Sequence, residues 1–310
     1  MKYSILIPAY KAKFFYECLD SALNQSFKDY EVIILNDASP EDLDSIVGTF
    51  HDNRIRYYKN EVNVGAINVV DNWNTLLSLA KGDFVACIGD DDKLSPNFLE
   101  AYNSLIEKHP DLDVYHARTE IIGENSEFLD LQPDRPERES VYAMLWNNVC
   151  SDRLQFIGDF LFRTATLRQK GGFYKLPLAW ISDCISALIV AKDKGSANLH
   201  YPTFFYRSNS LSITSSKHIN LKIEAMLRFG DWVRFFLKET PLDGLDAKYR
   251  ILIAKGINHR VLHDIRFMLA DDLKNNWNVL YWLRHRKKYQ ISLSNIFVSF
   301  VLAIGLKFMK

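Results

Sequence analysis

The sequence predicts an α/β fold in which a mainly parallel sheet is flanked by helices and followed by a helical C-terminal region. Short apolar runs alternate with helix-spaced runs through the first hundred residues, the pattern of repeated β-α-β units. Two of these runs end in acidic residues, Asn36-Asp37 and Asp90-Asp91-Asp92, where the carboxyl edge of the sheet would lie. From His218 onward the pattern is almost wholly helical and rich in aromatics, so the chain divides into residues 1–217 and 218–310.

The elements follow in order. Ser4 to Ile7 is an apolar run stopped by Pro8, a buried strand. Phe14 to Asn24 has helical spacing, with Phe15, Cys18, Leu19 and Ala22 on one face. Glu31 to Leu35 is a second strand. Ser39-Pro40-Glu41 has the cap, proline and acid that open a helix. Ile55 to Tyr58 and Phe84 to Ile88 are further strands, with helices over Val69 to Ala80 and Pro96 to Lys108. The middle is less regular. Glu120 to Ser140 reads as a loop, Gly158 to Arg163 as a strand, Gly171-Gly172 as a turn, Ile181 to Lys192 as a helix and Leu199 to Tyr206 as a strand. Arg207 to Lys217, rich in Ser, Asn and Thr, reads as a mobile loop.

The 310 residues are 48% apolar and 25% charged, enough for a real core. Lys plus Arg equals Asp plus Glu at 38 each, which argues against a nucleic-acid partner. Cys18, Cys87, Cys150 and Cys184 form no CxxC pair and read as reduced thiols of a cytosolic protein. The run after Met1-Lys2 is too short for a signal peptide.

Three adjacent carboxylates at the end of a buried strand repel one another unless something neutralises them. A hard divalent cation does so, and Mg²⁺ typically takes one or two carboxylates plus substrate phosphates. The plain alternative is a solvated acidic turn capping the next helix. A calcium hand is excluded, because its Asp-x-Asp-x-Asp-Gly order is missing. Asp37 can accept from a nucleobase N–H or act as a turn aspartate. Asp183 either suits a helix dipole or serves as general base toward a hydroxyl.

The order of these signals carries a resemblance. Ser4-Ile5-Leu6-Ile7-Pro8-Ala9-Tyr10, Glu17 to Ser26, Ile34 to Asp42, Ala80-Lys81-Gly82-Asp83-Phe84 and Asp91-Asp92-Lys93-Leu94-Ser95-Pro96 together resemble the inverting family 2 glycosyltransferases of bacterial cell-surface polysaccharide synthesis. A weaker match covers Gly171-Gly172-Phe173 and Ser182-Asp183. The resemblance implies a GT-A fold and transfer of a sugar from a nucleotide-sugar donor, usually a UDP-sugar. The acceptor would be a sugar or a lipid-linked sugar, and the cofactor Mg²⁺ or Mn²⁺. It implies that Pro8, Ala9 and Tyr10 border the nucleotide, that Asp37 meets the base and that Asp90 lies near the ribose. Asp91 would bind the metal, with Asp90 or Asp92 able to share it, and Asp183 would be the catalytic base. Arg207 is a candidate to clamp the diphosphate from a closing loop, against the plain reading of a surface arginine.

Two departures stand out. Gly89 occupies the place where many relatives carry the first acid of their Asp-x-Asp motif. Asn72-Trp73-Asn74 replaces a segment that often holds an arginine. Among other classes, a nucleotidyltransferase would want a Gly-rich basic loop after the first strand, where this chain has Pro8-Ala9-Tyr10-Lys11-Ala12-Lys13. A nicotinamide enzyme would need GxGxxG there. A processive synthase would carry Gln-x-x-Arg-Trp and several membrane spans. A catalytically inactive nucleotide-sugar binder would not need Asp183.

The tail holds a basic cluster, Arg284-His285-Arg286-Lys287-Lys288, and residues 289–306 carry no charge. That only just reaches the length of a spanning helix, and polar residues dilute its first half. The expectation is a helix lying in the membrane interface at the inner face of the cell membrane, beside anionic lipids. The alternative is a core or oligomer-interface helix.

Overall fold

The computed structural model describes residues 1–151, 153–210, 212, 218–238 and 244–308. Most of the predicted loop 207–217 lies outside them. Its elements are β1 (Tyr3–Ala9), α1 (Phe15–Leu23), β2 (Tyr30–Asn36), α2 (Leu43–Gly48), β3 (Ile55–Lys59), α3 (Val69–Leu79), β4 (Phe84–Cys87), β5 (Lys93–Leu94), α4 (Phe98–Lys108), β6 (Val114–Ile122), β7 (Phe128–Leu131), β8 (Arg138–Glu139), α5 (Val141–Cys150), β9 (Phe160–Arg163), α6 (Thr164–Gln169), α7 (Ser182–Ala191), β10 (Ser196–Arg207), α8 (Ile219–Phe236), α9 (Gly244–Asn276), α10 (Val279–His285) and α11 (Leu293–Phe308).

The main sheet runs β3-β2-β1-β4-β9-β6-β10-β5. The four strands of the first half pair in parallel. β9 then enters antiparallel between β4 and β6, so the complete sheet is mixed. Helices cover both faces, which explains why the early strands are apolar without alternation. Ile5 and Ile7 point into a core with α1 and α4. Leu6, Ile33 and Leu35 point the opposite way, into a core with α3, α5 and α7.

Several predicted boundaries shift by one or two residues. The second helix differs more: Ser39-Pro40-Glu41 stays in the loop, and Asp42 is the cap, accepting from Ser45 N at 3.0 Å. The middle holds more structure than its polarity suggests. β7 and β8 lie inside the predicted loop 120–140. β6 carries His116, Arg118 and Glu120, which hide its strand character. α5 begins where Ser140 Oγ accepts from Ala143 N at 3.2 Å.

α8 and α9 share the core of α5 and α7 through Phe229, Val233, Ile253 and Ile257. α11 docks through Ile296, Ser299 and Ala303, and Arg266 of α9 donates twice to Asn295 Oδ1, at 2.9 and 2.8 Å. Among the described residues no helix is long and apolar enough to cross a membrane.

Glycine 82 ties the sheet together. A Cβ there would lie 2.5 Å from the carbonyl carbon of Tyr3 and 2.6 Å from Ser4 N, both backbone atoms that cannot rotate away. Its N–H donates to Ser4 Oγ at 2.8 Å, and Ser4 Oγ donates to buried Glu31 at 2.7 Å. Gly82→Ala is therefore expected to lower stability by about 1–3 kcal/mol through overpacking, read as a fall in the urea midpoint at constant m-value. An unchanged midpoint would show that β1 and β4 can separate at no cost.

Candidate active site

The acid triplet leaves β4 at the carboxyl edge of the parallel strands, the usual ligand side of such sheets. Gly89 opens the turn, where a Cβ would come within 2.8 Å of Asp91 Oδ1 and 2.9 Å of Asp92 Oδ2. A side chain at this position would displace the carboxylates of Asp91 and Asp92 from where they lie.

The three carboxyl groups have different surroundings. Asp90 is buried, and its Oδ2 accepts from Tyr10 N and Lys11 N, both at 2.7 Å. Burial, and then the charge of Asp91, push its carboxyl up to about 6. Asp92 is also buried. It accepts from Arg207 N at 3.0 Å and Gly89 N at 3.2 Å, and burial holds it well above the usual carboxylate range. Asp91 lies closest to solvent at the cleft, with Oδ2 accepting from Asn209 Nδ2 at 2.8 Å and 3.6 Å from Lys11 Nζ. Lys11 and Asn209 are site neighbours that motif reading missed. Asn209 reaches Asp91 only because β10 runs beside β6 to that edge.

Pro8, Lys11, Asp91 and Asp183 line one cleft of about 380 Å³. Ala9 is buried and Tyr10 is exposed, and neither is among the residues that line this cleft. Asp37 sits at the same sheet edge, its N–H donating to Ala9 O at 2.9 Å, but it is outside the side chains that line this cleft. Its Oδ1 accepts from Asn60 Nδ2 at 2.8 Å and Val64 N at 3.0 Å. Asn60 also donates to Asn72 Oδ1 at 2.9 Å, and Asn74 clasps Phe173 through both its backbone groups. The Asn72-Trp73-Asn74 segment thus braces Asp37 on one side and the Gly171-Gly172-Phe173 turn on the other.

Arg207 corrects an expectation. It ends β10 rather than riding a loop, and its side chain is fully buried over the ring of Phe14 at 4.5 Å. Nε donates to Asp91 O at 2.8 Å, Nη1 to Gly123 O, Glu124 O and Ser126 Oγ, and Nη2 to Glu17. With its donors committed, Arg207 holds the acid loop from below instead of reaching for a phosphate.

Asp183 stands in the first turn of α7, half-buried, its Oδ1 accepting from Cys184 N at 2.8 Å. Burial raises its carboxyl to about 7, against the lowering effect of that N–H. The approach to it is strained, since Leu178, Ala179 and Ile181 have φ of 61°, 51° and 65°. Positive φ is rare for non-glycine residues and unusual for a β-branched one, and such strain gathers at functional sites. Hydrogen bonds hold the turn, with Leu176 N donating to Ser182 Oγ at 3.1 Å and Tyr174 N to Ser186 Oγ at 2.8 Å.

Among the described residues no group of three or more His, Cys, Asp or Glu side chains is arranged to hold a metal ion. A site with one protein carboxylate, completed by substrate phosphates, fits what is present, because Asp91 faces the cleft while Asp90 and Asp92 are tied to backbone N–H groups.

The model of "Glycosyl transferase family 2" matches residues 4–170, more than half of the chain. The chain belongs to this family. An uncharacterised glycosyltransferase of Rickettsia prowazekii is 26% identical over 303 residues, covering 94% of this chain and 83% of the relative. The Escherichia coli UDP-Glc:alpha-D-GlcNAc-diphosphoundecaprenol beta-1,3-glucosyltransferase WfaP is 38% identical over 90 residues, 29% of this chain and 35% of the relative. The solved structure of S. aureus TarS 1-349 with UDP-GlcNAc superposes at a TM-score of 0.67 and 16% identity, covering 100% of this chain and 93% of that one. The mannosyltransferase PcManGT from Pyrobaculum calidifontis, in complex with GDP-Man and Mn²⁺, gives 0.55 at 13% identity, covering 99% and 87%. These two likenesses show the GT-A fold.

The reassigned Arg207 generates an expectation. Arg207→Met should cost about 1–3 kcal/mol by stranding buried carbonyl acceptors, and Arg207→Lys should rescue it poorly because an ammonium cannot fork to them. Thermal unfolding measures this. A variant with wild-type stability and weakened diphosphate binding would restore the clamp.

Proposed function

We propose that the protein transfers a sugar from a UDP-sugar to an acceptor hydroxyl with inversion, with residues 1–217 as the catalytic unit and 218–310 as its helical extension. The observation that carries this is that Asp91 and Asp183 line the same cleft. Asp183 accepts the proton of the attacking hydroxyl, and its raised carboxyl is suited to that exchange near neutral pH. Asp37 receives the nucleobase beside Ala9, and Pro8 and Tyr10 border the nucleotide. Asp90 braces the loop of Tyr10 and Lys11 near the ribose. Lys11 pairs with the diphosphate as it leaves. A divalent cation, Mg²⁺ or Mn²⁺, held by Asp91 would supply Lewis-acid stabilisation of that leaving group. A single direct displacement, with the hydroxyl held in line, inverts the anomeric carbon.

The membrane is the proposed place of work, and a lipid-linked sugar the proposed acceptor. The exposed side of α11 carries Leu293, Phe297, Val301 and Ile304 in one helical stripe. The basic run Arg284 to Lys288 precedes it. Apolar insertion and attraction to anionic lipid together give the two signals that stable peripheral binding needs. WfaP, by its name, acts on a diphosphoundecaprenol-linked sugar.

Two experiments test this reading. Asp183→Asn should lower kcat by a factor on the order of 10² or more at nearly unchanged donor affinity. In the wild type the rate should rise with pH through about 7 as Asp183 loses its proton. The folded carboxyl titrates above its unfolded value, so its charge costs stability as pH rises through about 7. Asp183→Asn should therefore gain melting temperature over wild type more at pH 8 than at pH 5. Equal losses of donor binding and turnover would make Asp183 a structural cap, and donor binding without turnover in wild type would mark an inactive nucleotide-sugar binder.

Liposome flotation tests the location. The full chain should float with anionic vesicles and be released as salt rises. Phe297→Ser with Val301→Ser should stay in the load fraction. Equal flotation of the variant would remove α11 from the membrane reading.

A further inference from the structure

The cleft extends past the acid triplet to a wall built from α5, α7 and α9, and the chemistry of that wall is specific. Arg260 and Asp264 lie one turn apart on α9 and both line the cleft, with Arg260 Nε donating to Asp264 Oδ2 at 2.9 Å. Both side chains are mostly but not fully covered, at 22% and 18% exposure. A second guanidinium on this wall, Arg153, spans both carboxylate oxygens of Glu139 at 2.8 and 3.0 Å. Asp183 and Cys184 at the start of α7 line the same cleft. Trp180, carried by the strained turn before Asp183, completes the wall, with the Lys222 ammonium 4.9 Å from its ring centroid.

Each of the two guanidinium groups is already neutralised by a carboxylate of this chain. A phosphate entering here would have to break an ion pair and approach a carboxylate. A sugar would not, because each hydroxyl both donates and accepts. Adjacent hydroxyls can bridge Asp264, which accepts, and Arg260, which donates, while the ring's C–H face packs on an indole. Hydrogen bonds to charged groups are the stronger ones.

Resting on the transferase reading above, we propose that the acceptor enters as an uncharged sugar residue, and that Arg260 and Asp264 of α9 with Trp180 are its recognition site. α9 lies beyond residues 4–170 matched by the family model. The charged pair of this site thus belongs to the C-terminal helical region, while Trp180 belongs to the catalytic unit.

The test uses the full-length protein and nucleoside diphosphate release from UDP-sugars. The probes are p-nitrophenyl glycosides of glucose, galactose, N-acetylglucosamine and N-acetylgalactosamine, against p-nitrophenyl glucuronide and glycerol phosphate. At least one neutral glycoside should accelerate release, and the charged probes should not. For that glycoside, Asp264→Asn and Arg260→Gln should each raise KM by about tenfold or more, the loss expected for a hydrogen bond to a charged group. The effect should fall on the acceptor KM rather than on the donor KM or kcat, and melting temperatures serve as the check on folding. Trp180→Phe should weaken the same acceptor KM less than Trp180→Ala. Donor hydrolysis that only a charged probe accelerates, or that no neutral glycoside accelerates, overturns this inference and leaves the transferase reading standing. So do variants with unchanged acceptor KM, or with donor and acceptor KM raised alike. No hydrolysis or binding of any nucleotide sugar overturns both.

Discussion

The crowding of Asp90, Asp91 and Asp92 at the end of a buried strand is the constraint around which the catalytic half is arranged. Of these three consecutive carboxylates two are buried. Each buried one is met by backbone N–H groups from a different part of the chain. Asp90 takes those of the β1–α1 loop, and Asp92 takes those of Gly89 and of Arg207 at the end of β10. The acid loop therefore fastens the first strand of the fold to the last. Burying a polar group is tolerable only when it is paired, so these partners are obligatory. Arg207, reaching under the loop to Asp91 O, Gly123 O and Glu17, joins the β6–β7 turn to the same assembly. What this scaffold leaves open is Asp91, whose carboxylate meets, among the described residues, the side chains of Lys11 and Asn209.

A second device sits across the cleft. The turn before Asp183 holds three non-glycine residues at positive φ, a cost of order 1–3 kcal/mol each. Leu178 is buried there, and the hydroxyls of Ser182 and Ser186 hold the preceding backbone. Strain over-determined in this way fixes the start of α7 in one position. The carboxyl it presents accepts from a backbone N–H, and burial outweighs that contact and raises it. The helical extension contributes here as well, since α8 and α9 pack on the elements that carry this turn and add Phe229, Arg260 and Asp264 to the cleft.

One side of the tail helix α11 belongs to the core. α11 packs on α9 with one side, through Asn295, Ile296, Ser299 and Ala303, and leaves a second apolar side exposed. Polar residues that seemed to dilute a membrane helix, Asn295 and Ser299, are the ones turned inward.

The sequence by itself determined the parallel half of the sheet, the edge on which Asp37 and Asp90 to Asp92 lie, and the family. Each of these follows from local signals: apolar runs of strand length, a turn residue after each, and motif blocks whose order survives in one dimension. Boundaries such as the cap at Asp42 drifted because Ser39 and Asp42 are equally good caps until the loop closes. β6 and α5 stayed illegible because burial of His116 and the capping by Ser140 depend on neighbours far away in the chain. Only the tertiary structure decided that Arg207 is a buried brace, that Lys11 and Asn209 flank Asp91, and that α9 lines the cleft that Asp183 lines. An arginine reads the same in sequence whether its donors meet a ligand or carbonyl groups more than eighty residues away. That choice is made by which strands lie side by side, and the long-range pairing of β10 with β6 is a property of the folded chain alone.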